Sequence, residues 1–341
     1  MPTAPLDDDV RAHLEALATD PPPPLGSVPL ADVRASDRAL YAAGPRTPVA
    51  RTRDEVWAGP NGPVPVRIYH PRPTEVRPAD VHDGDAPDAH PRVPDVPPGL
   101  VVLLHGGGFV FGDLETHDET ARRTAAEAGV VVVSVDYRLA PEHPFPAGVE
   151  DAAFATTEAV ARAPSLGADP ARAVVAGDSA GGNLAAVVAR RLRDAGGPPL
   201  AGQALVYPTT DLRPDGGWRS RETLATGYGL TQDAMTWFAA QYLRSETDAH
   251  HPDASPHLAP DLRDLPPAFV LTAAFDPLRD EGDAYADRLA AAGVPVEHVP
   301  LNGAIHGVWT NPARLASGER AWAHLARWMR RVAPAGASPT S

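Results

Sequence analysis

Short apolar runs alternate with segments of helical length from residue 100 onward. The runs are Leu100–Leu104, Val130–Val135, Ala173–Ala176, Ala204–Tyr207, Ala268–Thr272 and Val294–Val299. Strands that crossover helices bury on both faces have this pattern. The sequence therefore predicts an α/β protein with a mostly parallel central sheet flanked by helices. Reactive groups of such sheets gather at the carboxyl ends of the strands.

Two helices and a hairpin are predicted before this region. Apolar residues recur at helical spacing within residues 6–19, and four prolines end the segment. A second helix is predicted from Pro29 to Ala43. Alternating apolar and polar residues on either side of a Gly-Pro-Asn-Gly turn predict a hairpin over 54–70. Residues 71–99 are rich in Pro, Asp and His, which predicts a mobile surface loop.

The interval after Tyr207 breaks the alternation, because about 60 residues pass before the next strand. It contains a predicted helix from Thr231 to Arg244, placed either as a lid over the sheet edge or as a peripheral packing helix. The predicted organisation is as follows: cap helices at 1–50, core at 51–207, a cap insertion at 208–262, core at 263–333 and a flexible tail at 334–341.

Composition narrows the classes of function. The chain has 341 residues, 43% of them hydrophobic, and a formal net charge of −14, which argues against nucleic acid or an anionic membrane as partner. It contains no cysteine, so thiolate chemistry and disulfides are excluded. Apolar runs fall short of the ~18 residues of a membrane span, and the acidic N-terminus predicts a cytoplasmic protein. Homodimer formation stays open.

The Gly177-Asp178-Ser179-Ala180-Gly181 pentapeptide stands between an apolar run and an Ala-rich helical pattern. A serine on so tight a strand-to-helix turn projects its hydroxyl away from the backbone, as in a nucleophile elbow. An ordinary glycine turn is the alternative, and the pentapeptide alone does not decide between them.

A second glycine motif, His105-Gly106-Gly107-Gly108, directly follows the Leu100–Leu104 run. Backbone N–H groups of such a loop, together with that of Ala180, would form an oxyanion hole. A phosphate cradle and a structural turn are alternatives. The chain order Ser179, Asp276, His306 is that of an α/β-hydrolase triad and favours the oxyanion hole.

Three motifs together resemble the hormone-sensitive lipase branch of the α/β-hydrolases, the bacterial family IV esterases. They are His105-Gly106-Gly107-Gly108-Phe109, Asp136-Tyr137-Arg138-Leu139-Ala140-Pro141-Glu142 and Gly177-Asp178-Ser179-Ala180-Gly181. The resemblance implies Ser179 as nucleophile, His306 as base and Asp276 as its orienting acid. It implies oxyanion donors at Gly107, Gly108 and Ala180. It also implies a helical cap and short- to medium-chain ester substrates. No cofactor or metal is expected.

Reasoning from roles reaches the same three catalytic residues. Asp276 ends one apolar run and His306 follows the last, so both can approach Ser179. Asp280, Glu281 and Asp283 are rival acids that begin a helix. Activity is expected to rise near pH ~6.5 if His306 titrates normally.

Other polar residues of the motifs are assigned supporting roles. His105 and His143 are expected to brace loops, and Arg138 and Asp151 to be structural. Family members usually have His-Gly-Phe where this chain has His306-Gly307-Val308, which predicts a differently shaped acyl pocket.

Two other functions stay open on the sequence. An amide or formamide hydrolase would use the same triad. A non-catalytic small-molecule receptor of the same fold is the third reading, and the intact His306 argues against it.

Overall fold

The computed structural model describes residues 4–72, 96–311 and 313–333. A single sheet of eight strands runs through the described part, in the order β1-β2-β4-β3-β5-β6-β7-β8. β1 and β2 form an antiparallel hairpin, β2 pairs antiparallel with β4, and every later pairing is parallel. The strands are β1 (Arg51–Gly59), β2 (Gly62–His70), β3 (Leu100–Leu104), β4 (Val131–Val135), β5 (Ala173–Asp178), β6 (Gly202–Val206), β7 (Ala268–Phe275) and β8 (Val296–Ile305).

Helices cover both faces of the sheet. They are α1 (Asp8–Thr19), α2 (Leu30–Ala42), α3 (Asp118–Ala128), α4 (Ala147–Arg162), α5 (Ala180–Asp194), α6 (Arg219–Thr223), α7 (Gln232–Tyr242), α8 (Arg279–Ala291) and α9 (Ala316–Val332). Side chains of α4, α5 and α8 pack in one apolar core, and those of α3 and α9 pack in the other. The fold is therefore three layers with the sheet in the middle.

The central strands show why the sequence lacks polar alternation there. In β3, Val102 faces the core shared with α4 and α5, whereas its neighbours Val101 and Leu103 face the core shared with α3 and α9. Both faces are buried, so every position favours an apolar side chain. The prediction of a mostly parallel sheet between helices is confirmed.

Element bounds differ from the sequence prediction mainly at the ends of strands. The hairpin begins at Arg51, and β8 continues to Ile305, well past the predicted end at Val299. Its carboxyl half pairs with β7 through an irregular register. Most of the predicted mobile loop, residues 73–95, and the predicted tail at 334–341 lie outside the described residues. Within the described ranges, no helix has the length and hydrophobicity that a membrane crossing requires.

Candidate active site

Ser179 lies at the sharp turn between β5 and α5. Its backbone has φ 54° and ψ −118°, and its N–H donates to the Val206 carbonyl at 2.9 Å. A Cβ at Gly181 would lie 2.0 Å from the Leu104 carbonyl oxygen, and one at Gly177 would lie 2.3 Å from the Gly181 oxygen. Side chains at either position would collide with backbone, so the strand-to-helix turn at Ser179 requires both glycines.

A chain of hydrogen bonds joins the three predicted catalytic side chains. Ser179 Oγ lies 3.0 Å from His306 Nε2, and His306 Nδ1 lies 2.7 Å from Asp276 Oδ2. An ionised carboxylate only accepts, so Nδ1 carries the hydrogen and Nε2 is left to accept from the serine hydroxyl. The three residues follow β5, β7 and β8, whose carboxyl ends share one edge of the sheet.

Asp276 is completely buried, and its second oxygen accepts the Leu278 N–H at 2.9 Å. The rival acids have other partners. Asp280 accepts from the Ser220 N–H at 2.8 Å, and Asp283 accepts from the Thr272 hydroxyl at 2.7 Å. The carboxylate that reaches the imidazole is therefore the one at Asp276.

Glu281, the third rival, supports the loop after β6. Its carboxylate accepts the Thr210 N–H at 2.7 Å and the Arg221 Nε at 2.9 Å. Burial raises the pKa of this carboxyl to about 7, although Arg221 opposes the shift. The contacts place Glu281 as a brace between α6, α8 and the 209–211 segment.

The electrostatic setting of His306 suits a base. Burial of the ring lowers its pKa, but the Asp276 charge and hydrogen bond raise it, with further contributions from Asp178 and Glu281, and the net pKa lies above the ordinary value. The Tyr207 ring packs against the imidazole with 4.6 Å between ring centroids. Because Asp276 stabilises the imidazolium, His306 is suited to accept a proton from Ser179 at Nε2.

The glycine loop after β3 presents free backbone donors. Gly107 and Gly108 have φ of 107° and 61°. Across the residues that the structure describes, none accepts a hydrogen bond from the N–H of Gly107, Gly108 or Ala180. A Cβ at Gly108 would lie 2.4 Å from the Phe238 ring, so the loop packs tightly under α7.

Asp178 has a role that the sequence reasoning did not assign. Its Oδ1 accepts the Gly106 N–H at 3.0 Å and lies 3.2 Å from His117 Nε2. A Cβ at Gly106 would stand 2.4 Å from the other carboxylate oxygen. The residue before the serine thus fixes the glycine loop, and the signal available in the sequence was its position inside the pentapeptide.

The other motif residues differ in their contacts. His105 is buried, its ring stacks on Tyr137 at 4.2 Å between centroids, and burial lowers its pKa to about 4. Arg138 forms a two-pronged ion pair with Asp151, at 2.8 and 2.9 Å. His143 is exposed, and its backbone N–H donates to the Leu139 carbonyl at 2.8 Å.

A cavity of about 590 Å³ opens above Ser179 and His306. α2 contributes Asp37 and Tyr41 to its wall, and α7 contributes several side chains. The large apolar side chains of the wall are those of Phe109, Phe111, Leu212, Leu230, Met235, Phe238, Leu243 and Leu278. α1 instead packs against the core, with Val10 fully buried beside β8.

The segment after His306 contributes Gly307 and Thr310 to the cavity wall. Val308 and Trp309 are buried in the core, where the Trp309 ring lies 4.8 Å from that of Trp322. Val308, which stands where family members usually have phenylalanine, therefore packs in the core under α9. The predicted difference in the shape of the acyl pocket stays a prediction.

Comparison with known proteins places these features in a family. Residues 101–310 match the model of a family described as having the alpha/beta hydrolase fold. The esterase LipI of Mycobacterium tuberculosis is 46% identical over 269 residues, which are 77% of each chain.

Two solved structures are also similar over nearly the full chain. An esterase of Pyrobaculum calidifontis superimposes with a TM-score of 0.82 and 39% identity, covering 98% of this chain and all of the other. An ester hydrolase from the Lake Arreo metagenome was solved with a bipyridine phosphonate derivative. It superimposes with a TM-score of 0.83 and 41% identity, covering 95% of this chain and 98% of the other.

Proposed function

The chain belongs to the family with the α/β-hydrolase fold and hydrolyses carboxylic esters, and we propose that it does so through an acyl-enzyme on Ser179. The observation that carries the proposal is the hydrogen-bonded series from Ser179 to His306 to Asp276 at the floor of the cavity. Nucleophile, base and orienting acid stand in the order that acyl transfer needs.

Acylation begins when Ser179 Oγ attacks the ester carbonyl carbon and His306 Nε2 takes the hydroxyl proton. The new bond pushes the carbonyl electron pair onto oxygen, where the N–H groups of Gly107, Gly108 and Ala180 stabilise the negative charge. When the intermediate collapses, the bond to the leaving alcohol breaks, and that alcohol takes its proton from His306.

Deacylation repeats these steps with water as the nucleophile. His306 removes a proton from water, the hydroxyl adds to the acyl carbon, and the carboxylic acid leaves as Ser179 regains its proton. Asp276 holds the imidazole in one tautomer throughout and stabilises its charged form. No other reactant is needed, because water and the ester account for all atoms.

The cavity supports substrates with short to medium acyl chains. Its volume of about 590 Å³ lies in the range of small-molecule sites, and large apolar side chains line much of it. α2 and α7 both contribute to the wall, which supports a cap drawn from parts of residues 1–50 and 208–262, whereas α1 packs against the core.

Replacement of the nucleophile is the direct test. Ser179→Ala is expected to reduce kcat/KM on 4-nitrophenyl acetate by about 10⁴-fold or more, since triad residues act as a unit. The wild type should also be labelled covalently by a fluorophosphonate, and the variant should not.

Ser165→Ala is the matched control, because Ser165 is exposed and its hydroxyl donates only to the nearby Arg162 carbonyl. The control is expected to keep wild-type rates and labelling. Hydrolysis by Ser179→Ala at a rate close to that of the wild type would contradict the proposal.

A further inference from the structure

Asp37 is a charged residue in the cavity wall for which the proposed mechanism has no use. It lies on α2, one turn before Tyr41, and both side chains line the cavity. Asp37 is partly buried, and the described part of the chain provides it with neither an ion pair nor a side-chain hydrogen bond. Its carboxylate is therefore available to whatever enters the cavity.

The cations near this cavity are already paired. Arg213 binds Asp211 at 2.8 Å, Arg221 binds Glu281, and Arg244 lies 3.4 Å from Asp248. Arg38, the neighbour of Asp37 in sequence, is bound to Asp113. Burial and the charge of Asp113 raise the pKa of Asp37, as expected for a carboxyl whose charge no cation balances.

The position of Asp37 on α2 indicates that it lies near the alcohol portion of a bound ester. Tyr41 lies beside the hydroxyl of Thr310, on the segment that follows His306. The leaving alcohol must lie next to His306, because it takes its proton from Nε2. The α2 wall therefore lies toward the alcohol portion of the ester.

We propose that Asp37 and Tyr41 form a subsite for a cationic group on the alcohol portion of the ester, of the alkylammonium class. This inference rests on the proposed function. A carboxylate attracts an ammonium group by its charge, and the face of a tyrosine ring adds cation–π attraction. Neutral alcohols of the same shape would fill this space without either interaction.

The test compares two esters that differ in charge and little in shape, acetylcholine and 3,3-dimethylbutyl acetate. Acid release at pH 8 gives kcat/KM for both on the same preparation, so the folded fraction cancels from their ratio. We expect the wild type to prefer acetylcholine, and Asp37→Asn to reduce that preference about 10-fold, mainly through KM.

Asp32→Asn is the matched control, because Asp32 is an exposed carboxylate on the same helix and outside the cavity wall. It is expected to keep the wild-type ratio. Equal loss of both activities in Asp37→Asn, or a wild type without preference, would overturn the subsite. Failure of the proposed function is distinguished by Ser179→Ala, which would then still hydrolyse the neutral ester.

A second measurement needs no variant. Choline and 3,3-dimethyl-1-butanol are compared as competitive inhibitors of 4-nitrophenyl acetate hydrolysis by the wild-type chain. Choline should have an inhibition constant about 10-fold lower, since only it carries the charge that Asp37 attracts. Equal inhibition constants would contradict the subsite even if Asp37→Asn did not fold.

Discussion

The backbone at Ser179 has a conformation that few residues adopt, and its neighbours make it obligatory. A positive φ costs an L-residue on the order of 1–3 kcal/mol and persists only where the surroundings impose it. Here Gly177 and Gly181 allow backbone to approach where no Cβ fits, and the Ser179 N–H is bound to Val206. The strain is therefore supported by the central strands of the sheet.

The raised pKa of His306 predicts the acid limb of the pH profile. Imidazolium cannot accept the Ser179 proton, so kcat/KM should fall as pH decreases through the pKa of His306. Because Asp276 raises that pKa, the midpoint should lie above the ordinary value of about 6.5. The measurement is kcat/KM on a neutral ester between pH 5 and 9.

Asp276→Asn provides the comparison for this profile. Removing the charge should move the acid limb of the residual activity to lower pH, together with a large loss of rate. A wild-type midpoint at or below the ordinary histidine value would contradict the assigned coupling between His306 and Asp276.

At the candidate site, a motif and the chain order were enough to single out Ser179, Asp276 and His306, whose side chains the structure joins by hydrogen bonds. Their catalytic roles stay a proposal. The support of the glycine loop by Asp178 and His117 could not be predicted, because the two residues are 61 positions apart and their contact depends on side-chain geometry. The same holds for Glu281, whose partners come from two other segments.

At the scale of elements, one arginine of α2 contacts the core through three partners, beside the Arg38–Asp113 ion pair and the apolar packing of the helix. Arg34 donates to the carbonyls of Val110 and Ala140, each at 2.9 Å, and to the Glu142 carboxylate at 2.8 Å. These acceptors lie on the loops that carry the glycine motif and the 136–142 motif. The helix that bears Asp37 and Tyr41 is thereby positioned against the glycine loop that carries the proposed oxyanion donors.

Arg34→Ala is expected to loosen α2 and leave the central sheet intact. Two partly buried carbonyls would lose a charged donor, which costs about 1–3 kcal/mol. Amide hydrogen exchange in α2 should accelerate roughly 10-fold or more, and KM should rise more than kcat falls. Exchange mass spectrometry with steady-state kinetics measures both effects.

Arg11→Ala serves as the control, because Arg11 is an exposed arginine on the neighbouring α1. Its exchange and kinetics should resemble those of the wild type. Unchanged exchange of α2 in Arg34→Ala would show that the other contacts of the helix, the Arg38–Asp113 ion pair and its apolar packing, hold it without Arg34.

The predictable elements were those with a strong periodic signal. β3 was predicted at its observed bounds, and α7 to within two residues at either end. β8 was predicted too short, because its carboxyl half has an irregular register and contains Asn302 and Gly303, which a strand pattern does not favour. Three-dimensional pairing with β7, rather than local sequence, sustains that half of the strand.

For the whole molecule, we expect the negative net charge to influence how fast charged substrates associate with the protein. The formal net charge of −14 repels anions over distances that added salt shortens. The pairings among β3 to β8 are all parallel, so Ser179, Asp276 and His306 lie at one edge of the sheet. An ester that approaches this edge experiences the electrostatic field of the net charge.

An anionic ester should therefore be hydrolysed faster in high salt. We expect kcat/KM for 4-acetoxybenzoate to rise several-fold between ~10 mM and ~500 mM salt, while that for phenyl acetate stays within about twofold. Initial rates of each ester at the two salt concentrations provide the comparison. Equal responses of the two esters would show that the net charge does not influence substrate approach.

The carboxylate of Asp178 joins the turn at Ser179 to the glycine loop after β3, which carries the proposed oxyanion donors. This bond couples the position of the Ser179 turn to that of the loop after β3. α2 and α7 lie outside this unit and meet it through side chains. Substitutions in those two helices can therefore change which alcohols and acyl groups enter the cavity, while the arrangement proposed to cleave the ester bond is kept during evolution.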